Sequence, residues 1–405
     1  MSKTFVVVGG GAAGFFGAIA AKNENPACNV LLLEKSAVLL SKVRVSGGGR
    51  CNVTHACFDP MKLTQNYPRG DKALIGPFHR FQPRDTVQWF ESRGVMLKTE
   101  NDGRMFPVTD DSQTIIDCLL LEAQRLGVSI RLKQRIERIV KQDKGFELHF
   151  AGGETLFCDG LLLATGSSPQ GHQWAQELGH SVKSSVPSLF TFNVPTSPLL
   201  DLSGITLPLV GMQLVGTTLK QQGPLLLTHW GFSGPAALKL SAWGARWLHE
   251  QNYRVQVCVD WLPQLTQEAI LQQLRTLREW HPIRSLLAEN PFGLPKNLWK
   301  RFLEMRGLVE KKRMSDVSNA EFIKLAEQLH GDIYQVEGRT TNKEEFVTCG
   351  GVELKEVDFR TMESRVCPGL YFAGEILDVD AVTGGFNFQN AWTTGLIAGE
   401  SMAEK

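Results

Sequence analysis

Gly9, Gly11 and Gly14 stand as G-x-G-x-x-G near the start of the chain, and Glu34 follows about twenty residues after the last of them. Those residue types at that spacing suit one task, holding an adenine dinucleotide. The first glycine permits a tight turn, the second lets main chain approach a pyrophosphate, and the third lets a helix pack closely on a strand. That helix aims its N-terminal N–H groups, and the positive end of its dipole, at the phosphates. The Glu34 carboxylate falls where it can meet the hydroxyls of an adenosine ribose.

Three further stretches could do chemistry. Ser46-Gly47-Gly48-Gly49-Arg50-Cys51-Asn52 comes soon after the acid. Consecutive glycines give a core nothing and cost backbone entropy, so they suit main chain lying against a flat or anionic ligand, with Arg50 and Asn52 as donors. Thr383-Gly384-Gly385-Phe386-Asn387-Phe388-Gln389 is a second glycine turn opening a helix, whose N-terminus favours an electron-rich group. His229, in Leu227-Thr228-His229-Trp230-Gly231, is the best candidate for a proton donor or substrate anchor, because histidine titrates near neutrality. A structural histidine in a turn is the competing reading. Cys51 and Cys57 invite a disulfide-reductase reading, against which stand their spacing and the want of a second G-x-G-x-x-G unit. Gly231-Phe232-Ser233-Gly234-Pro235 is no hydrolase elbow, since proline takes the last position.

The elements that must position these residues alternate at first. Phe5 to Val8 is an apolar strand and Ala12 to Lys22 a helix of small residues. Asn29 to Leu33, Gly127 to Leu132 and Asp159 to Gly166 add strands. Gln82 to Arg93 and Asp111 to Leu126 have helical spacing, the second with Asp110 or Asp111 as N-cap. Arg135 to Val140 and Gly145 to Phe150 form a small β insertion. Near Pro187 the pattern changes to alternating strands, Ser203 to Lys220 and Arg254 to Leu262, and then to amphipathic helices, Thr266 to Trp280, Pro295 to Arg306 and Asn319 to His330. From Gly369 the first pattern returns. The fold expected is α/β: a discontinuous Rossmann-like FAD/NAD(P)-binding domain, residues 1–186 and 346–405, with an inserted mixed β/α domain, 187–345.

Bulk properties narrow the partners. A net charge of +1 over 405 residues gives no global pull toward nucleic acid or an anionic membrane, and no apolar run is long enough to span a bilayer. The basic stretch Lys296, Lys300, Arg301, Arg306, Lys311, Lys312 and Arg313 reads as a solvated helix face rather than an RNA surface. Eight scattered cysteines without a CxxC pair fit reduced thiols in a cytoplasm, with no metal site expected. A small-molecule substrate is the expected partner; the oligomeric state is not legible.

GGGAAG, SGGGRCN, ATG, THWGFSGPA and GLYFAGEILDVDAVTGGFNFQNAW together resemble the BaiN/YhiN-like flavoprotein family of NAD(P)/FAD-dependent oxidoreductases, nearly end to end and in the same order. The resemblance implies bound FAD and links the chain to reduction of conjugated enones or to oxidation of small amines; NAD(P)H as a transient electron donor and reduction of the flavin by the substrate itself, with oxygen reoxidising it, both stay open. It implies that Gly9, Gly11, Ala13 and Gly14 hold the pyrophosphate, with Glu34 at the adenosine ribose and Lys35 beside it. By the same resemblance Arg50, Cys51 and Asn52 lie along the flavin, Ile136 lies by the adenine, and Thr165 and Gly166 lie near the nucleotide. Gly374, Glu375 and Asp380 meet the ribityl-phosphate arm, and Gly385, Phe386 and Asn387 the flavin ring. One departure is that ATG continues as Ser167-Ser168-Pro169-Gln170, shorter than the usual loop. The expected activity is hydride transfer through flavin N5, with Cys51 a secondary catalytic candidate. An oxygen-dependent amine oxidase and a flavin redox sensor associated with RNA are the alternatives.

Overall fold

The computed structural model describes residues 2–311, 313–340 and 347–404. They fall into two compact units: one runs to Val186 and takes in the carboxy-terminal segment, and the other begins at Pro187. The return expected at 345/346 falls on residues outside those described.

In the first unit β1 (Thr4–Val8) lies between β2 (Asn29–Leu33) and the strand Gly160–Leu163, in a seven-stranded sheet. Ser129–Arg131 pairs parallel to β2, and Leu370–Phe372 parallel to Gly160–Leu163. Two short antiparallel strands, Val357–Asp358 and Glu363–Ser364, finish the far edge. Phe5, Val6, Val7 and Val8 are all buried, as a strand covered on both faces requires. The strand from the carboxy-terminal segment is therefore part of the same sheet as the first glycine turn.

Helix α1 (Ala12–Glu24) packs along the final helix, Phe386–Glu404, through small residues. A Cβ on Gly395 would come within 2.5 Å of the Ala13 carbonyl, and one on Gly399 within 2.1 Å of that of Gly17. The equal step along both helices makes them parallel, with their N-termini pointing the same way. At about 1.5 Å per residue, the final helix starts about 12 Å beyond the start of α1. The two positive helix ends are thus staggered along one direction.

Most helices end within two residues of the expected limits, the usual latitude of such boundaries. Asp111 is the N-cap of Ser112–Leu126, accepting from the Gln113 N–H at 2.8 Å, and Gly127 closes that helix with φ 76°. The β insertion has three antiparallel strands, Ile136–Gln142, Gly145–Phe150 and Thr155–Cys158. The strand expected over Ser203 to Lys220 is instead part of a hairpin, Thr206–Leu214 with Lys220–Thr228, turned where Gly216 takes φ 83°. Alternation continued through the turn and hid it.

The second unit carries its own seven-stranded sheet, in which Arg254–Asp260 pairs antiparallel with both Thr206–Leu214 and Asp332–Glu337. Val255, Val257, Val259 and Trp261 are buried, and the helices Gln267–Trp280, Lys296–Met305 and Asn319–Gly331 contribute Leu274, Trp299, Phe302, Phe322 and Leu325 to the same core. Among the described residues no helix is long and apolar enough to cross a membrane.

Candidate cofactor site

The three fingerprint glycines differ in what surrounds them. A Cβ on Gly9 would sit 2.3 Å from the Ala164 carbonyl, and one on Gly14 only 1.9 Å from the Gly9 carbonyl. Gly9 also has φ 116°, a region other residues avoid. Around Gly11 nothing lies within 4 Å. Two glycines are thus demanded by packing and the third faces open space, as a close backbone approach by phosphate requires. Gly11 is also the N-cap of α1 and supplies no side-chain hydrogen bond, so the first N–H groups of the helix are left for a ligand.

Glu34 follows β2 directly. Its carboxylate accepts from the Gly10 N–H and the Ser36 N–H, both at 2.8 Å, which fixes it beside the glycine turn. Lys35 is exposed. The Gln134 N–H donates to the Glu34 carbonyl at 2.9 Å, and Ile136, two residues on, is buried. The strand that carries Ile136 is therefore brought near the acid in space despite about a hundred residues between them.

The Ser46–Asn52 stretch is a kinked turn in which Gly47, Gly48 and Gly49 all take left-handed φ, 59°, 70° and 85°. Around Gly48 and Gly49 nothing lies within 4 Å of a Cβ. The Arg50 guanidinium is engaged elsewhere than expected: it pairs with Glu100 at 2.7 Å and Asp110 at 3.5 Å and lies 4.0 Å over the Phe106 ring. With its amide oriented to satisfy both neighbours, Asn52 donates to the Thr54 carbonyl at 3.0 Å and accepts from the Gly385 N–H at 2.9 Å. It ties the first glycine-rich loop to the last. Cys51 is fully buried, and burial pushes its thiol up to about 12. A thiol so protonated is a poor nucleophile, which corrects its candidacy as a redox-active residue.

The carboxy-terminal motif folds back onto these parts. Gly374, at φ 75°, would press a Cβ within 2.9 Å of that of Ala13, and its N–H donates to Thr394 Oγ1 at 2.9 Å. Glu375 pairs with Lys42 and accepts from the Thr348 N–H at 3.3 Å; a Cβ on Gly166 would lie 3.7 Å from its carboxylate. Asp380 is fully buried and paired with Arg69, so its carboxylate serves to hold the loop. Losing one partner of such a pair costs about 3–5 kcal/mol.

Gly385, at φ 88°, would clash with the Thr54 main chain at 2.6 Å, so only glycine fits there. Phe386 stacks on His55 with ring centroids 4.7 Å apart, and its carbonyl accepts from the Tyr67 hydroxyl at 2.6 Å. Asn387 accepts from the Ala381 N–H at 3.0 Å and donates to the Ala381 carbonyl at 3.1 Å. Its side chain locks the loop; what it leaves for a ligand is the helix N-terminus itself. Sequence reading missed Lys42, His55, Tyr67, Arg69, His172 and Thr348, because each meets the site only through tertiary contacts.

Near Glu375 there are buried polar atoms with no protein partner: Thr165 Oγ1, Thr348 Oγ1 and His172 Nε2. Buried polar atoms are paired in native proteins with few exceptions, so these fit the polar arm of a bound ligand. Burial also holds the His172 imidazole below its ordinary pKa, in its neutral form. The glycine cradle, the placed acid, the staggered helix ends and these orphan atoms together fit an extended adenine dinucleotide.

His229 belongs to the other unit, exposed in the turn between Lys220–Thr228 and Gly231–Ser233. In the basic stretch Lys300 and Arg301 pair with Glu304, Arg301 also with Asp201, and Lys311 with Glu321; Lys312 lies outside the described residues.

Comparison with known proteins bears out the motif resemblance. The chain matches the HI0933-like protein Rossmann domain over residues 3–401 and belongs to that family. It is 28% identical to a 3-dehydro-bile acid delta(4,6)-reductase of Clostridium scindens, over 98% of both chains. It is 31% identical to a ribosomal RNA dihydrouridine synthase of Escherichia coli, over 96% of this chain and 95% of that one. In fold it resembles a 3-ketosteroid-delta4-(5alpha)-dehydrogenase of Rhodococcus jostii, TM-score 0.53 at 14% identity, covering 100% of this chain and 97% of the other. The chain is an FAD-dependent oxidoreductase of the family, with the α/β Rossmann fold expected.

Proposed function

We propose that this member of the HI0933-like family is a reductase that saturates a carbon–carbon double bond conjugated to a carbonyl, using FAD held by the first unit and NAD(P)H as transient electron donor. The observation that carries it is the stagger of two helix N-termini in the same unit, that of α1 at Gly11, around which nothing lies within 4 Å, and that of the final helix at Phe386. The first suits a pyrophosphate and the second an electron-rich ring, the separation being left to a ribityl arm. Bound there, FAD supplies a hydride at its N5 position.

The chain's own residues do the rest. Glu34 receives the adenosine ribose, and Gly9 to Gly14 receive the phosphates. The N-terminus of the final helix favours negative charge on the ring, and Asn387, Tyr67 and Asn52 hold that N-terminus in place so that no reorganisation is needed. His229 is the proposed proton donor or substrate anchor. The names of the two relatives share a bond type: an enone of a bile acid, and the ring double bond of uridine conjugated to its carbonyl. Hydride on the carbon remote from the carbonyl and a proton on the nearer one saturate either.

The test is spectroscopic. Protein supplied with FAD should show a flavin absorbance band, lose it anaerobically with NADH or NADPH, and regain it on adding a conjugated enone or a uridine-containing RNA. Absence of any flavin band ends the reading; bleaching by small amines in place of NAD(P)H reverses its direction. His229→Gln should lower turnover and flatten its pH profile, and an unchanged profile makes that histidine structural.

A further inference from the structure

We infer that His172 is a ligand-binding residue: its Nε2 accepts a hydrogen bond from a hydroxyl of a sugar-derived arm, the ribityl chain of FAD or the ribose of a nicotinamide nucleotide. This rests on the cofactor reading above and adds a residue to it. His172 comes just after Ser167-Ser168-Pro169-Gln170, where the chain departs from the family resemblance, and no role carried over by that resemblance covers it.

All the groups concerned lie within the first unit. The strand Gly160–Leu163 leads through Thr165 and Gly166 into the helix Pro169–Glu177, which carries His172 near its start. A Cβ on Gly171 would fall 1.9 Å from Thr165 Oγ1, so only glycine lets that hydroxyl lie against the helix. The Glu375 carboxylate accepts from the Thr348 N–H, lies close to Gly166, and acts through its charge on the His172 ring. Four polar side chains from three segments far apart in sequence thus share one place.

Within that place His172 decides what kind of partner is wanted. It is 8% exposed, and Thr348 is 5% exposed. A ring nitrogen of His172 hydrogen-bonds the Ile376 main chain in the sense that favours the protonated ring, as a nitrogen donating to a carbonyl does. Since Nε2 is the nitrogen with no protein partner, the donor is Nδ1. Burial keeps the imidazole neutral, so Nδ1 holds its one proton and Nε2 offers a lone pair. A buried acceptor without a donor is costly, so this one points to a ligand O–H or N–H. Glu375 is likewise an acceptor. A phosphate presents only oxygens and would meet both of them badly. A hydroxyl gives its proton to one and still accepts from Thr165 or Thr348, and a run of hydroxyls serves the whole set.

The experiment is a fluorescence titration of FAD into the flavin-free chain, for the unaltered protein, His172→Asn and His172→Gln. Asparagine places its amide nitrogen where Nδ1 stands and has nothing at Nε2, whereas glutamine reaches the Nε2 position. His172→Asn should weaken FAD binding about 5-fold or more, as loss of one buried hydrogen bond does, and His172→Gln should recover most of that. Of the FAD analogues lacking one ribityl hydroxyl, one should show the same deficit with the unaltered chain and no further deficit with His172→Asn. Should FAD bind all three chains alike, the second arm is the concentration of NADH or NADPH that bleaches the bound flavin anaerobically. A rise of about 5-fold with His172→Asn assigns the hydroxyl to the nicotinamide nucleotide. No change in either arm overturns the proposal and gives Nε2 to a buried water. Circular dichroism and thermal melts check that the flavin-free variants are folded; in that state Nε2 has no partner to lose, so the two variants should melt alike. A chain that binds FAD but reduces neither enone nor uridine fails the reductase reading and leaves the role of His172 standing. A chain that takes up no flavin ends both.

Discussion

Two sets of helices in this molecule begin in opposite ways. In the second unit Gln267–Trp280 starts at Thr266, whose hydroxyl accepts from the Ala269 N–H, and Asn319–Gly331 starts at a reciprocal box between Ser318 and Glu321. In the first unit α1 starts at Gly11, which has no side chain to offer, and the final helix is preceded by Gly385. Capping by Ser, Thr or Asp stabilises a helix by about 1 kcal/mol, so forgoing it needs a reason. Ser112–Leu126, also in the first unit, is capped by Asp111, which removes the unit as a whole as the explanation. Lys296–Met305 in the second unit also lacks a side-chain cap, so an open start alone marks nothing; at Gly11 it coincides with the glycine cradle and open space that the dinucleotide reading assigns to phosphate.

The comparison breaks most readily at Gly11. Its φ of −96° and open surroundings accept an aspartate without strain. Gly11→Asp should supply the missing cap and raise the stability of the FAD-free chain by a few tenths of a kcal/mol. The same carboxylate should repel the pyrophosphate and weaken FAD binding by at least about 100-fold, roughly 2.7 kcal/mol. Thermal melts and flavin titration read the two signs; a parallel rise or fall in both would mean that the open end has no ligand.

Ser318→Ala is the converse change in the second unit. Removing a reciprocal cap should cost about 1 kcal/mol in denaturant unfolding and leave flavin affinity as it was. A loss of flavin with that substitution would erase the division between binding and structural helix ends.

A smaller effect follows from two histidines of the first unit. Burial holds His172 and His180 below the ordinary value of 6.5, so both are neutral when folded. Below that value the unfolded chain binds more protons, so their contribution is present above it and is lost as pH falls. The denaturation midpoint should drop on acidification from pH 7 to 5, and His172→Gln with His180→Gln should make that drop shallower. An unchanged slope would place the acid sensitivity elsewhere.

Local chemistry made much of this legible in advance. Gly9, Gly14 and Glu34 lie within one strand–helix–strand unit, and glycine spacing and apolar runs report on backbone geometry within a few residues. Alternation likewise identified Val255 to Trp261 as one buried face. Roles such as those of Arg50 and Asn387 were less visible. Both are polar groups next to glycine turns, yet one is claimed by Glu100 and the other by its own loop at Ala381.

The sequence by itself determined that a dinucleotide fold is present and that both ends of the chain contribute to it, because strands, turns and glycine positions are set by near neighbours. Only the tertiary structure decided that Thr165, Thr348 and His172 are left with unpaired polar atoms beside Glu375. Whether a polar group finds a partner depends on segments far away in sequence, and no local pattern encodes where those segments will lie.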